Sequence, residues 1–485
     1  MKRILFVTAP YHCWGVQVVG TWPPLHLVYM AGAALQAGAE ARIFDAMNKS
    51  LGFEEIRAEL ERFRPHYVVA IDYLPVTGAI ATATVPDVIR VLNLAKEVDP
   101  EVVTITGGPH PTFMYQEMLG EPANQIDLVI RGEPEATLAA VIAADGADLR
   151  AVPGLAFRDG GEIVATPDQP HIQALDGMKP AWHLLDWEDY HYKVEPQGRM
   201  TSILGSRGCD MGCAFCAQRM FWNRDWRSRS PQDVVDEMVH LKDTYQVDYF
   251  TLIDAYPTKR RGRWVEYLDL LIERDLGVRL LIETRVEDII RDRDILHKYR
   301  EAGIIHVYVG AESGDEDQLA ALNKGTSVDK NKQAIDLLRE AEIMTEASFM
   351  IGFPNETWDS IQRTIDAAIH LNPDVAVFPV VTPMPFTPIF QEMKDRIRVW
   401  DYSKYNLVTP IVEPVEMSLQ DVTKALGRCY MQFYGNKMKE VFALPDGFKR
   451  RYMLSALRLM MEAHGETFDF GGHGMPHGMP HPMPT

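Results

Sequence analysis

The spacing of apolar residues changes along the chain, and the changes outline the fold. Residues 1–148 alternate short apolar runs with stretches of helical period. "KRILFVTAP", "ARIFDAM", "YVVAIDYL", "VVTITGG" and "DLVIRGE" predict strands. "PPLHLVYMAGAALQAG" predicts a helix, with Pro23 and Pro24 near its start and Gly38 past its end. "FEEIRAELERF" places Phe53, Ile56, Leu60 and Phe63 on one helical face. Strands alternating with helices predict a doubly wound parallel sheet covered on both faces. Ligands in such sheets bind beyond the carboxyl ends of the strands. That rule selects four loops: "YHCWGVQVVGTWPP", "LPVTG", "GGPHPTF" and "RGEPE".

Residues 149–195 break the rhythm and read as a connecting segment. It holds a hairpin around Asp159, Gly160 and Gly161, then the aromatic stretch "PAWHLLDWEDYHYKVEPQG". The alternation returns over residues 196–390. Strands are predicted at "TSILGSRG", "YFTLIDA", "RLLIETRV", "HVYVGAES", "EASFMIGF" and "VAVFPVVTP". Six βα units predict a partial barrel with its site at the carboxyl ends of the strands. Residues 391–468 are expected to be helical, and 469–485, rich in His, Met and Pro, to be disordered. His473, His477 and His481 of that tail are metal-ligand types in a stretch of incidental composition.

Composition narrows the class. Of 485 residues 46% are hydrophobic and 24% charged, as in soluble globular proteins, and the length allows two or three domains. No apolar run is long enough to span a bilayer, and the start "MKRILFVTAP" reads as a strand rather than a signal peptide. A net charge of −19 argues against nucleic-acid binding. Five cysteines, three of them clustered, do not form a disulfide framework and fit a reducing cytoplasm.

The three are Cys209, Cys213 and Cys216 in "GCDMGCAFCAQ". Structural zinc is closed by four ligands, usually as two CxxC-like pairs, and no second pair exists here. An iron–sulfur cluster held by three thiolates keeps one iron open, which suits direct coordination of a substrate. The spacing CxxxCxxC, with Phe215 before the last cysteine, resembles the radical S-adenosylmethionine (SAM) superfamily. "VGAESGDEDQLAALNKGTS" and "FMIGFPNET" are similar to its fourth- and fifth-strand motifs, in the same order. The resemblance implies a [4Fe-4S] cluster on Cys209, Cys213 and Cys216, with SAM as the fourth ligand. It implies SAM contacts from Phe215, Asp254, Thr284, Arg285, Glu312 and Gly352. The loop "IDAYPT" lacks the common Gly-Gly-Glu form.

The first domain lacks a GxGxxG fingerprint after its first strand, so a dinucleotide is not expected. "TWPP", "GGPHPTF" and "RGEPE" resemble the cobalamin domains of B12-dependent radical SAM enzymes. That likeness implies cobalamin contacts from Trp22, Gly107, Gly108, His110, Thr112, Gly132 and Glu133. Gly107 and Gly108 are expected to let the corrin tail lie against bare backbone. No DxHxxG motif supplies an axial histidine, and His12 and His110 are the loop histidines nearby. The implied fold is a Rossmann-like cobalamin-binding domain, then a partial (β/α)6 radical SAM barrel, then a helical region.

Segments from the N-terminus to about residue 460 resemble the anaerobic magnesium-protoporphyrin IX monomethyl ester cyclases. They include "GGPHPTFMY", "MPFTPIFQEM", "DYSKYNLVTPI" and "GFKRRYML". The likeness implies a tetrapyrrole substrate and hydrogen abstraction by a 5′-deoxyadenosyl radical. It also implies a bacteriochlorophyll-type ring closure with oxygen taken from water. A cobalamin-dependent C-methyltransferase acting on a tetrapyrrole or isoprenoid lipid stays open, as does, remotely, a non-catalytic corrinoid or iron–sulfur sensor. The basic and aromatic stretch "RMFWNRDWRSR" reads as a substrate surface, a docking face for an electron donor such as flavodoxin or ferredoxin, or a packed loop.

Overall fold

The computed structural model describes residues 1–11, 20–72, 81–146, 148–195 and 198–465. The "LPVTG" loop, most of the loop after the first strand with His12, and the His/Met/Pro tail lie outside the described residues.

The first domain is built on a sheet of seven strands. They are β1 (Arg3–Thr8), β2 (Glu40–Asp45), β3 (Tyr67–Ala70), β4 (Val103–Gly107), β5 (Leu128–Ile130), β6 (Leu155–Asp159) and β7 (Glu162–Ala165). Their order is β2-β1-β3-β4-β5-β6-β7. β1 to β5 pair in parallel, and β1, β3, β4 and β5 are buried on both faces as their near-continuous apolar runs require, whereas the edge strand β2 is only partly buried. Two apolar clusters flank the sheet, one under the helices Leu25–Gln36 and Pro134–Ala144, the other under Phe53–Phe63 and Val85–Val98. The hairpin read as part of the connecting segment instead pairs antiparallel with β5 and completes this sheet. Its inner residues Leu155 and Phe157 are buried, whereas a period-2 pattern three residues deep gives no indication of which edge it joins.

The second sheet holds β8 (Arg199–Ile203), β11 (Val247–Leu252), β12 (Arg279–Thr284), β13 (Ile304–Glu312), β14 (Met344–Phe349) and β15 (Val375–Val377). All pair in parallel in the order β15-β14-β13-β12-β11-β8, as six successive βα units require. A two-stranded ladder, β9 (Ser206–Arg207) with β10 (Arg227–Ser228), stands apart after β8. Two of the helices between are begun by side-chain caps, Ser230 for Pro231–Tyr245 and Thr357 for Trp358–Leu371. In the region after residue 390, expected to be helical, the long helices are Leu419–Ala443 and Phe448–Gly465. Residues 397–417 are largely irregular, interrupted by Pro410 and Pro414. They fold back over the carboxyl ends of the barrel strands, where Ile397, Tyr405, Ile411 and Val412 join Tyr11 and Met47 of the first domain in one apolar cluster. Both sets of strand ends therefore meet at this seam.

Candidate functional site

The cluster loop, residues 208–226, leaves the barrel after β9 and returns at β10. Gly208 has φ +89°, and a Cβ there would overlap the Asp225 carbonyl, so only glycine lets the two legs meet. The loop is pinned both from outside and by its own Arg219. The Ala214 N–H donates to the Leu322 carbonyl at 3.0 Å, and Asn323 Nδ2 and Arg219 Nη1 donate to the Gly212 carbonyl at 2.9 and 2.6 Å. Cys213 is buried and Cys209 and Cys216 are partly exposed. The thiols are near enough that Cys209 is influenced by Cys213, and Cys216 by both. Burial pushes the Cys216 thiol up to about 12 and raises that of Cys209. Among the described residues, no three His, Cys, Asp or Glu side chains close tightly enough to hold a single ion, these thiols included. Thiolates that bind separate irons of a cluster need no such closure.

Two cations face the thiols. Arg285 and Lys324 both act electrostatically on Cys213. Arg285 is tied to the Lys324 carbonyl at 2.9 Å and to Glu287 at 3.0 Å. Lys324 Nζ lies 2.5 Å from Glu312 Oε1 and 5.7 Å from the centre of the Phe215 ring. Burial opposes the Lys324 charge, but Glu312 and Cys213 outweigh it and hold its pKa above the usual lysine value. Glu312 reaches this position through a register shift between β13 and β14 and a left-handed φ of +61°. A Cβ on Gly310 would overlap both the Glu312 carboxylate and the Lys324 ammonium, so that bare backbone makes room for the pair. These cations, set against buried thiols, suit a cluster of net negative charge.

Not every residue expected at the site faces it freely. Asp254 is buried and accepts from the Gly205 N–H at 2.8 Å and from Ser206 Oγ, so it braces the strand that leads into the cluster loop. Thr284 bonds Thr258 at 2.5 Å. Gly352 has φ +84°, gives its N–H to Glu356 at 2.8 Å, and lies against Val380 and Val422. Below this level the barrel interior is polar, unlike the Val/Ile/Leu layers usual in such barrels. Glu283, Tyr308 and Glu346 share one rung of β12, β13 and β14. Burial, then Glu346, raises Glu283 to about 8.

On the first domain, the space expected over Gly107 and Gly108 is taken by protein. A Cβ on Gly108 would overlap the Asp72 carboxylate, and one on Gly107 would crowd the Ile130 carbonyl at 3.2 Å. Asp72 accepts from the His110 N–H at 2.7 Å. Burial depresses His110 to about 3, so its ring is neutral, with Nδ1 3.3 Å from Thr82 Oγ1 and Tyr402 edge-on at 4.7 Å. Among the described residues, Asp72 Oδ1 and His110 Nε2 are buried without a hydrogen-bond partner. Thr112 joins the Gly108 carbonyl, 2.6 Å, to the Gly132 N–H, 3.0 Å, and Gly132 faces open space. Orphaned polar atoms beside an open strand-end loop fit a large polar ligand such as cobalamin. Glu133 does not face that space: its carboxylate is buried between Arg207 and Arg227. Trp22 is also buried, in a cluster with Tyr192, Met200 and Tyr452.

Residues 203–368 match the Radical SAM superfamily, and residues 11–142 match the B12 binding domain. The chain is 39% identical to the anaerobic magnesium-protoporphyrin IX monomethyl ester cyclase of Cereibacter sphaeroides, over 97% of this chain and 77% of that one. The chain belongs to this cyclase family. The cyclase of Rubrivivax gelatinosus is 38% identical over 97% of this chain and 85% of its own length. A fold likeness extends to TsrM of Kitasatospora setae, a radical SAM methyltransferase solved with cobalamin and a [4Fe-4S] cluster, at a TM-score of 0.70 and 15% identity, covering 96% of this chain and all of that one. The sequence reading of a cobalamin-binding radical SAM enzyme with these cofactors agrees with both family matches. It missed Lys324, Asp72, Arg207 and Arg227. Lys324 stood in the quoted "AALNKGTS", but its partner Glu312 lies on the far side of a helix in sequence, and nothing local pairs them.

Proposed function

We propose that this enzyme closes the isocyclic ring of magnesium-protoporphyrin IX monomethyl ester, as its cyclase relatives are named for doing. The observation that carries this reading is the likeness to those cyclases over 97% of the chain, including the segment folded over the seam. When bound, the cluster and SAM supply a 5′-deoxyadenosyl radical for hydrogen abstraction, and cobalamin supplies one-electron and cobalt–carbon chemistry.

The chain's own residues prepare the place. Cys209, Cys213 and Cys216 would hold the cluster, with Lys324 and Arg285 offsetting thiolate charge in a buried setting. Asp254 and the Gly208 turn fix the loop's entry. Thr112, Gly132 and His110 would hold cobalamin at the opposite wall. Between the walls, Phe113 stacks on Phe386 at 5.0 Å and Tyr402 stands against His110. Such aromatic surfaces suit a flat macrocycle and keep water from a radical.

The cluster needs an external electron. Arg219, Arg224 and Arg260 make the face around the cluster loop basic in a chain of net charge −19, while Lys259 is paired with Asp210 at 2.6 Å, and Lys259 and Arg260 stand 5.2 and 5.1 Å over Trp226. An acidic carrier of the flavodoxin or ferredoxin kind fits that face. No helix among the described residues is long and apolar enough to cross a membrane, and free thiols suit a reducing, anaerobic cytoplasm.

The test is anaerobic turnover of the reconstituted holoenzyme with reductant, SAM and magnesium-protoporphyrin monomethyl ester. 5′-Deoxyadenosine with a cyclised, oxidised porphyrin supports the reading. S-adenosylhomocysteine with a methylated product assigns C-methylation instead. Deoxyadenosine with unchanged porphyrin removes this substrate.

A further inference from the structure

The cluster loop is closed at a narrow base, where Arg207 on β9 stands directly opposite Arg227 on β10. Both arginines leave the barrel and meet one carboxylate of the other domain. Glu133 Oε1 accepts from Arg207 Nη1 at 2.7 Å, and Glu133 Oε2 accepts from Arg227 Nη1 at 2.9 Å. Arg207 also reaches Glu135 at 2.6 Å, and the Ile172 N–H donates to Glu133 at 2.7 Å. The side chains of Arg207, Arg227 and Glu133 are 3%, 5% and 1% exposed, so salt barely screens them. Asp225 Oδ2 lies 3.1 Å from Arg227 Nε as a third carboxylate, so both guanidinium charges are fully matched within the group.

The far side of Glu133 is equally tied. It follows Gly132, whose N–H is held by Thr112, which in turn bonds the Gly108 carbonyl. Bonds therefore run from the strand-end turn of the first domain, through Thr112, Gly132 and Glu133, to Arg207, two residues before Cys209. Apolar residues of similar volume would bury this seam as well or better, because a buried ion group is costly to desolvate. What a guanidinium fork adds is a fixed direction and register.

We infer that Glu133 is a positioning residue that clamps both legs of the cluster loop to the ligand loops of the first domain, and so sets the separation of the cluster from cobalamin. The inference rests on the cofactor reading above and is independent of the substrate.

The experiment compares wild type with Glu133→Gln, Glu133→Asp and Arg207→Lys. In holoenzyme, pulsed electron paramagnetic resonance measures the separation between cob(II)alamin and the reduced cluster. In protein without cofactors, hydrogen exchange compares residues 208–217 with the helix Val85–Val98. Glu133→Gln is expected to bind iron and cobalamin, to broaden the single narrow separation of wild type, and to speed exchange at 208–217 by about ten-fold or more, with Val85–Val98 unchanged. Glu133→Asp, which keeps the charge, is expected to restore a single separation. If Glu133→Gln does not fold, Arg207→Lys carries the same expectations. Unchanged separation and exchange in the folded variants overturn the inference. So does equal loss of protection in both domains, which an ion pair of purely structural role gives. Failure to turn over a tetrapyrrole leaves both readouts intact, so the two readings fail separately.

Discussion

Replacing Lys324 by Met removes a cation from beside the cluster loop while nearly keeping its volume. Its partner Glu312 is 2.5 Å away, and the two side chains are 15% and 7% exposed. At that distance the direct attraction is about 7 kcal/mol with an effective dielectric constant of 20. Much of this offsets the cost of taking both charges out of water. The loss on removing one partner of a buried pair is therefore expected at about 3–5 kcal/mol, dominated by the stranded carboxylate. Among the described residues, Ser348 Oγ, at 3.2 Å, is the remaining hydrogen-bond donor to the Glu312 carboxylate and leaves most of that cost in place. The double variant Lys324→Met with Glu312→Gln strands no charge and is expected to recover at least about half of the loss. The assay is urea unfolding of the protein without cofactors, under reductant, run as a double-mutant cycle. A single variant costing less than about 1 kcal/mol, or strictly additive losses, would refute the claim that the pair is desolvated and coupled. Gly310→Ala, whose methyl would overlap both charged groups, is expected to lose stability in the same way without removing either.

Serine at Cys209, Cys213 or Cys216 is expected to remove cluster iron and lower deoxyadenosine formation by about 100-fold or more, read by iron analysis and chromatography. Glu283 gives a pH test. Its pKa is raised in the folded protein, so its stabilising contribution is complete below the ordinary glutamate range and is lost as pH rises through about 8. Glu283→Gln is therefore expected to match wild type near pH 4 and to exceed it by a few kcal/mol near pH 9, measured by denaturant midpoints. Glutamate at Arg224 and Arg260, both exposed beside the cluster loop, is expected to slow reduction by an acidic protein donor about ten-fold at low salt. Reduction by dithionite should be unaffected, and an equal slowing with both reductants would move the docking face elsewhere.

The sequence by itself determined the two α/β domains, the succession of their strands, and the clustering of three thiols in one loop. Local period sets a strand or a helix, and alternation of the two leaves a parallel sheet as the economical arrangement. The three thiols were legible because they lie within eight residues of one another. The tertiary structure decided what those local signals cannot carry. Lys324 meets Glu312 only because β13 shifts register and Gly310 leaves space. Gly108 is bare for Asp72, a neighbour 36 residues earlier, rather than for a ligand. Glu133, read as part of a cobalamin loop, is bound to arginines 74 and 94 residues away. Residues 397–417 show no helical period, and their seat over the strand ends depends on a seam made by both domains. Pairings of this kind depend on which strand ends and buried charges come to face one another, and that is settled only when the two sheets are packed.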